Sequence, residues 1–189
     1  GADLHGADLH GMNLSGLLLQ GTTTTLAGAN LAGTDFTDAT LVGNLAGANL
    51  RGATLAGTQF MNANISGTDF TGAVVGRNEV SGYTLGVGLT GTPIGLPSSY
   101  RIAKGRLVGP GTNLADADLS GASLPGIELR LVWMMGANFA GADLTGADLR
   151  GAFQVRVNFD GAKLDNARLD GFMAGCDRSE EHTSELQSQ

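Results

Sequence analysis

The sequence predicts a repeat protein that winds from five-residue units into a solenoid, and three observations support this. Large apolar residues recur at every fifth position over most of the 189 residues. Glycine accounts for 31 residues and aromatic side chains for only 5 %, so an ordinary core of large interlocking side chains is not expected. The period of five matches neither the strand repeat nor the helical repeat, and a fixed internal period is typical of solenoids.

Each repeat unit is centred on a large apolar residue. A small residue such as Ala48 or Ala142 stands two positions earlier, Asp or Asn lies between the two, and Gly tends to close the unit. This pattern predicts one short turn per unit, with the small and large side chains inside, the polar side chain outside and glycine in the turn. The predicted centres are Leu4, Leu9, Leu14, Leu19, Leu26, Leu31, Phe36, Leu41, Leu45, Leu50, Leu55, Phe60, Ile65, Phe70, Val75, Val80, Leu85, Leu114, Leu119, Leu124, Leu129, Met134, Phe139, Leu144, Leu149, Phe159, Leu164 and Leu169.

These units resemble the pentapeptide-repeat family, whose pattern is Ala, Asp or Asn, Leu or Phe, and then two variable positions. The resemblance implies an all-β fold, a right-handed quadrilateral parallel β-helix in which four units make one coil of about twenty residues. With one non-repeat insertion, the chain should form about seven coils, each rising by about 4.8 Å. The resemblance also implies a bacterial origin.

The expected organisation is a β-helix over residues 1–85, a non-repeat excursion over 86–112, a continuation of the same solenoid over 113–175 and a disordered tail over 176–189. From Arg178 the tail is similar to a translated sequencing adapter, so we exclude it from fold reasoning. Its one Arg and three Glu account for −2 of the formal net charge of −7, which leaves −5 for residues 1–177. The chain opens in mid-repeat without Met, which suggests a fragment of a longer gene.

Three irregularities interrupt the repeat. Leu19 and Leu26 are seven positions apart, which predicts two extra residues and a bulge near Thr22–Thr25, whereas Leu41 and Leu45 are four apart, one residue short. Over Gly151–Asn158, in-phase counting puts Gln154 at a centre and Phe153 outside. Either a polar residue is buried there or the register slips locally to take Phe153 in.

The excursion contains three of the four prolines and a predicted β-hairpin, in which residues 100–103 and 106–108 flank Lys104-Gly105. It should be ordered, either joining the coils or packing laterally against them. The alternative is a partner-binding loop, because three basic residues, Arg101, Lys104 and Arg106, are concentrated there.

With four units per coil, residues twenty positions apart should lie above one another. Phe139 should then stack on Phe159 inside, while Trp133 and Phe153 point outward in one column. Exposed stacked aromatics can mark a contact site, and cover by the hairpin or by missing flanking sequence is the alternative. The remaining outer columns should be structural: Glu128, Asp148 and Arg168; Arg130, Arg150 and Asp170; Asp118, Asn138 and Asn158.

Motifs for catalysis, metal binding and cofactor binding are not evident in the sequence. His5 and His10 hold equivalent positions on adjacent faces and should diverge, the acidic residues occupy the polar slot of the repeat, and the glycines lack the strand-to-helix context of a phosphate loop. We therefore expect no enzyme, no cofactor and no metal site.

The function expected from these features is a noncatalytic structural or protein-interaction scaffold whose protein partner is unknown. The alternative, implied by other members of the family, is a DNA mimic that modulates a type II topoisomerase. We expect neither direct nucleic-acid binding nor membrane association, and open coil ends could support end-to-end or dimeric association. The compartment stays open, with a soluble cytoplasmic protein favoured.

Overall fold

The computed structural model describes residues 2–19, 23–76, 85–171 and 173–174. Within these ranges the chain has short β-strands and no helix. The strands are β1 (Leu18–Leu19), β2 (Thr40–Asn44), β3 (Thr54–Ala56), β4 (Gln59–Asn64), β5 (Val74–Gly76), β6 (Leu85–Val87), β7 (Arg101–Ala103), β8 (Arg106–Val108), β9 (Phe153–Gln154) and β10 (Met173–Ala174). The chain divides into two compact units, Gly1–Leu107 and Val108–Gln189. The predicted centre at Val80, Thr22 of the predicted bulge and the tail from residue 176 lie outside the described residues.

A tight turn closes each repeat unit. The backbone N–H of the small residue donates to the carbonyl oxygen of the preceding centre, as from Ala29 to Leu26 at 3.0 Å. The residue before the small one has a positive φ, 64° at Gly28, which a type II turn requires at this position. Glycine adopts that conformation without a steric penalty, which explains why glycine closes most of the units.

The Asp or Asn of each unit also takes part in the turn. Asp35 Oδ1 accepts a hydrogen bond from the backbone N–H of Thr37 at 2.9 Å, and Asn49 Oδ1 accepts one from that of Arg51 at 3.2 Å. Short polar side chains stabilise bends in this way. The polar slot therefore has a structural role besides facing the solvent.

In the first unit, equivalent residues of successive coils lie in parallel register. One column runs through Asp3, Thr25, Asn44 and Asn64, at intervals of 22, 19 and 20 positions. The first interval confirms the two extra residues between Leu19 and Leu26, and the second confirms the missing residue between Leu41 and Leu45. The register of β2 against β4 shifts between Val42 and Asn44, so the missing residue is absorbed within one strand pair.

The predicted centres fill the interior of the first unit. From Leu26 to Phe70 they are buried together with the alanines of the small position, whereas Leu4, Leu9, Leu14 and Leu19 are half-buried. Burial of one large apolar side chain contributes about 1.5–3 kcal/mol. The stacked centres therefore make up most of the hydrophobic stabilisation.

Strand pairing in the first unit continues past residue 85 into the predicted excursion. Strand β6 pairs with β4, Thr90 pairs with Asn64, and Ile94 pairs with Asp69. Leu85 lies opposite Gln59, and it is Gly86 that lies opposite the buried Phe60. The expectation that Leu85 is a centre is therefore wrong, because the extra residues before it change the phase.

The predicted hairpin is present as β7 and β8, which pair with each other. The two residues that join them, Lys104 and Gly105, have φ of 47° and 70°, as a type I′ turn requires. Leu107 and Tyr100 belong to the buried core of the first unit, and a Cβ added to Gly86 would lie 2.5 Å from the Cβ of Leu107. The hairpin thus packs on the coil interior instead of a lateral face, and Leu107 occupies the space that Gly86 leaves.

The second unit keeps the twenty-residue interval in every column. Its columns are Asn113, Trp133 and Phe153; Asp118, Asn138 and Asn158; Ser123, Asp143 and Lys163; Glu128, Asp148 and Arg168. Phe139 and Phe159 stack with ring centroids 5.5 Å apart and planes inclined by 14°, which confirms the prediction.

The register around Gln154 is unshifted. Phe153 pairs with Trp133 on one side and with Met173 on the other, and Gln154 pairs with Ala174. The register slip is therefore wrong: Gln154 takes a centre position, where it is half-buried and not fully buried, and Phe153 stays outside.

Candidate functional site

The outer face that carries Trp133 differs from its neighbours in the second unit. Trp133 and Phe153 pack against each other with ring centroids 5.6 Å apart and planes inclined by 31°. Both side chains are half-buried, so the expected outward column exists but is less open than a fully exposed pair. The other three columns of this unit carry almost entirely polar or charged residues.

Two further apolar side chains enlarge this surface. Leu131 is 51 % exposed and Met135 is 42 % exposed. We call the surface formed by Leu131, Trp133, Met135 and Phe153 the aromatic face. Sequence reasoning missed Leu131 and Met135, although both hold outer positions on either side of Trp133.

Leu131 has an unusual backbone conformation. Its φ is 55°, at the turn position that glycine occupies in the units that precede and follow it, Gly126 and Gly136. The left-handed region costs a non-glycine residue roughly 1–2 kcal/mol. Leu131 therefore combines backbone strain with an exposed apolar side chain, and a leucine at a glycine position was the signal that could have identified it.

One edge of the aromatic face borders a network of charged residues around Asp148. The Asp148 carboxylate accepts hydrogen bonds from Arg150 at 2.7 and 2.8 Å and forms an ion pair with Arg130 at 3.2 Å, and its side chain is only 11 % exposed. Arg130 also pairs with Glu128 at 3.3 Å. The predicted column of Glu128, Asp148 and Arg168 is confirmed, and its acidic members contact arginines of the neighbouring positions.

These contacts shift the ionisation of both partners. The hydrogen bonds from Arg150, aided by the charge of Arg130, lower the pKa of Asp148 below 3.8, although burial opposes them. The carboxylate in turn raises the pKa of Arg150. Three other carboxyls, those of Asp35, Asp69 and Asp143, also have a lowered pKa. In each case the cause is hydrogen bonding from the hydroxyl and the backbone N–H of the threonine two positions after the Asp.

Replacing Asp148 by asparagine should reduce the free energy of unfolding by about 1–2 kcal/mol at neutral pH, because the arginines lose a charged acceptor while remaining partly solvated. A lowered carboxyl pKa stabilises the folded state above the unfolded value of 3.8 and loses that effect as the pH falls through the folded value. The free energies of unfolding of the wild type and of Asp148→Asn, measured with urea over a range of pH, should therefore become equal below pH 3.8. Asp165→Asn, at an exposed turn, is the matched control, and an equal loss there would contradict the assignment.

The three predicted basic residues of the excursion lie together on the hairpin. Arg101 is exposed, and its guanidinium donates to the carbonyl oxygens of Ser98 at 2.5 Å and Tyr100 at 2.8 Å. Lys104 is exposed in the turn, and Arg106 is half-buried in β8. The hairpin belongs to the first unit up to Leu107, whereas the aromatic face belongs to the second unit.

Other site types find little support in the described part of the chain. No group of three or more His, Cys, Asp or Glu in residues 2–19, 23–76, 85–171 and 173–174 could hold a metal ion. His5 and His10 are exposed. The backbone N–H of each histidine donates a hydrogen bond to the carboxylate of the Asp two positions earlier. In the same ranges, we find no helix of the length and apolar character needed to cross a membrane.

The stacked columns of each unit define the class of protein: a parallel β-helix built from short repeats. Comparison with protein-family models matches residues 44–75 and 112–151 to Pentapeptide repeats, in eight copies. Over these two ranges the chain consists of pentapeptide repeats. A comparison with curated proteins found no match.

Several solved structures are similar to this chain. HetL, a pentapeptide repeat protein involved in heterocyst differentiation regulation from the cyanobacterium Nostoc, has 23 % identity over 91 % of this chain and 79 % of its own, with a TM-score of 0.36. QnrB1, a plasmid-mediated fluoroquinolone resistance protein, has 19 % identity over 98 % and 82 %, with a TM-score of 0.31. Rfr23 from the cyanobacterium Cyanothece has 21 % identity over 85 % and 90 %, with a TM-score of 0.29. Similarity at this level carries no information about function.

Proposed function

We propose that this protein is a noncatalytic scaffold that binds a protein partner through the aromatic face. The observation that carries the proposal is Leu131, which holds an exposed apolar side chain in a strained conformation beside Trp133. Strain of this kind persists where the surrounding structure enforces it, and it is concentrated at functional sites. A glycine would remove both the strain and the exposed surface.

The composition of the aromatic face suits protein recognition. Tryptophan, other aromatic residues, methionine and arginine are enriched at the centres of protein interfaces. Trp133 and Phe153 already support each other at 5.6 Å, so little side-chain freedom would be lost on binding. The neighbouring Arg130 and Arg150 are held by Asp148, which gives the apolar centre a polar rim.

The alternative of a DNA mimic acting on a type II topoisomerase is less well supported by the charge pattern. A mimic needs a continuous acidic stripe, because duplex DNA carries its negative charge at regular short intervals. In the second unit the column of Glu128 and Asp148 ends at Arg168, and both acidic residues are paired with arginine. Interspersed signs of this kind favour a scaffold.

The test compares binding and folding in the same variants. The first step selects proteins that bind to the immobilised wild type but not to immobilised Trp133→Ser. Each selected protein would then be purified, and its affinity for the wild type, Trp133→Ser and Leu131→Gly would be measured by titration. We expect both variants to bind at least about tenfold more weakly. Leu131→Gly should keep or raise the melting temperature, since relief of strain offsets the added freedom of the unfolded chain.

Leu18→Ala is the matched control, because Leu18 is also an exposed leucine, at 64 %, but belongs to the first unit. Its affinity for the partner should equal that of the wild type. If purified partners bind all face variants as tightly as the wild type, or if no retained protein depends on Trp133, the aromatic face is not the binding surface.

A further inference from the structure

The hairpin of the first unit is firmly anchored on one side. Ile102 and Leu107 pack against the buried core, and the hydroxyl of the buried Tyr100 donates to the carbonyl oxygen of Val75 at 2.8 Å. Side chains alternate between the two faces of a strand. Arg101 and Arg106, the sequence neighbours of those core residues, are therefore directed to the opposite face.

This opposite face carries positive charge on an acidic protein: Arg101 and Lys104 are exposed and Arg106 is half-buried, whereas Val108, on the same face as Arg106, is fully buried. Residues 86–112 contain Arg101, Lys104 and Arg106 and no Asp or Glu, which gives a formal charge of +3. Because the net charge of the whole chain is −7, the remaining residues together carry −10. The cationic side chains come from the two strands and from the type I′ turn between them. We call the surface of Arg101, Lys104 and Arg106 the basic face.

We propose that the basic face is a docking site for a short acidic segment of a protein partner, distinct from the aromatic face. Arginine and lysine bind carboxylates through charge-assisted hydrogen bonds, and arginine does so with two parallel donors. The hydrogen bonds from Arg101 to Ser98 and Tyr100 fix the direction of its guanidinium. A site held in place before binding loses less conformational entropy when the ligand arrives.

The chemistry of the face favours carboxylates over a nucleic-acid strand. Proteins that bind single strands combine positive charge with aromatic side chains on which bases stack. The one aromatic residue of 86–112, Tyr100, is buried and hydrogen-bonded to Val75. A phosphate backbone would also extend past three cations onto coils that are net acidic, whereas an acidic peptide can confine its charge to a few residues.

The experiment measures binding of a short fluorescein-labelled peptide of alternating glutamate and serine by fluorescence anisotropy, at about 0.05 M and 0.15 M salt. The test variant replaces Arg101, Lys104 and Arg106 by glutamine. The matched control replaces Arg51, Lys163 and Arg168 by glutamine, which removes the same charge from exposed positions elsewhere. An unlabelled single-stranded DNA of similar charge competes in a separate arm, and thermal unfolding confirms that all proteins are folded.

We expect the wild type and the control variant to bind the peptide alike, more tightly at the lower salt, and the test variant to bind at least about tenfold more weakly. Failure of the wild type to bind at low salt overturns the proposal. Equal weakening in the control variant would assign binding to net charge and also overturn it. Competition by the DNA at concentrations equal to or below those of the unlabelled peptide would identify phosphates as the preferred ligand and overturn the choice of a protein segment.

Discussion

Replacing Phe139 by alanine is expected to lower the free energy of unfolding by about 3–5 kcal/mol, the range measured for truncation of a buried phenylalanine. The side chain is fully buried and its ring lies 5.5 Å from that of Phe159 in the next coil. A solenoid transmits stability between neighbouring coils, so the cavity would weaken contacts on both sides. Urea unfolding followed by circular dichroism would measure the change.

Phe153→Ala is the matched control for this prediction. Phe153 belongs to the same unit and also packs on an aromatic residue, but it points outward and is half-buried. We expect its truncation to cost less than about 1.5 kcal/mol. Equal losses for the two variants would mean that the interior and exterior positions of the coil are misassigned.

Replacing Leu107 by alanine should have the next largest effect, a loss of about 2–4 kcal/mol. Leu107 is 5 % exposed and fills the space beside Gly86, where the repeat has no side chain of its own. Its truncation would leave a cavity at the level of Phe60 and loosen the hairpin. Chemical unfolding would give the loss, and faster amide hydrogen exchange at Ala103 and Arg106, the hydrogen-bonded pair next to the two-residue turn, would show that the hairpin opens.

Ile94→Ala provides the comparison for Leu107→Ala. Ile94 belongs to the same segment but is 57 % exposed, so its truncation should change stability by no more than about 0.5 kcal/mol. A loss at Leu107 as small as that at Ile94 would contradict the role of the hairpin in the core.

The stacking of the second unit was predictable from the repeat interval alone. Because four units of equal length complete one coil, simple counting placed Phe139 with Phe159 and Trp133 with Phe153, as the structure has them. Counting also located the length changes of the first unit, where an interval of 22 positions is followed by one of 19. A strict period therefore carries three-dimensional information that an ordinary sequence lacks.

The excursion was less predictable because its packing depends on residues distant in sequence. Gly86 takes the place of a centre, and the side chain that fills the gap comes from Leu107. No local pattern links these positions. The candidate site shows a similar gap. The outward direction of Trp133 followed from counting, and the leucine at a glycine position indicated the positive φ of Leu131. The exposure of the Leu131 side chain, in contrast, depends on how the coils pack around it.

The twenty-residue interval also restricts how the surface can change during evolution. Loss of one five-residue unit between Trp133 and Phe153 would turn every later outer residue of the second unit by a quarter of a coil. The two aromatic rings would then face different directions, even though the interior pattern of small and large residues would be intact. Gain or loss of four units together would keep every column aligned, so a change in the number of repeat units preserves a surface formed by several coils only when it comes as whole coils.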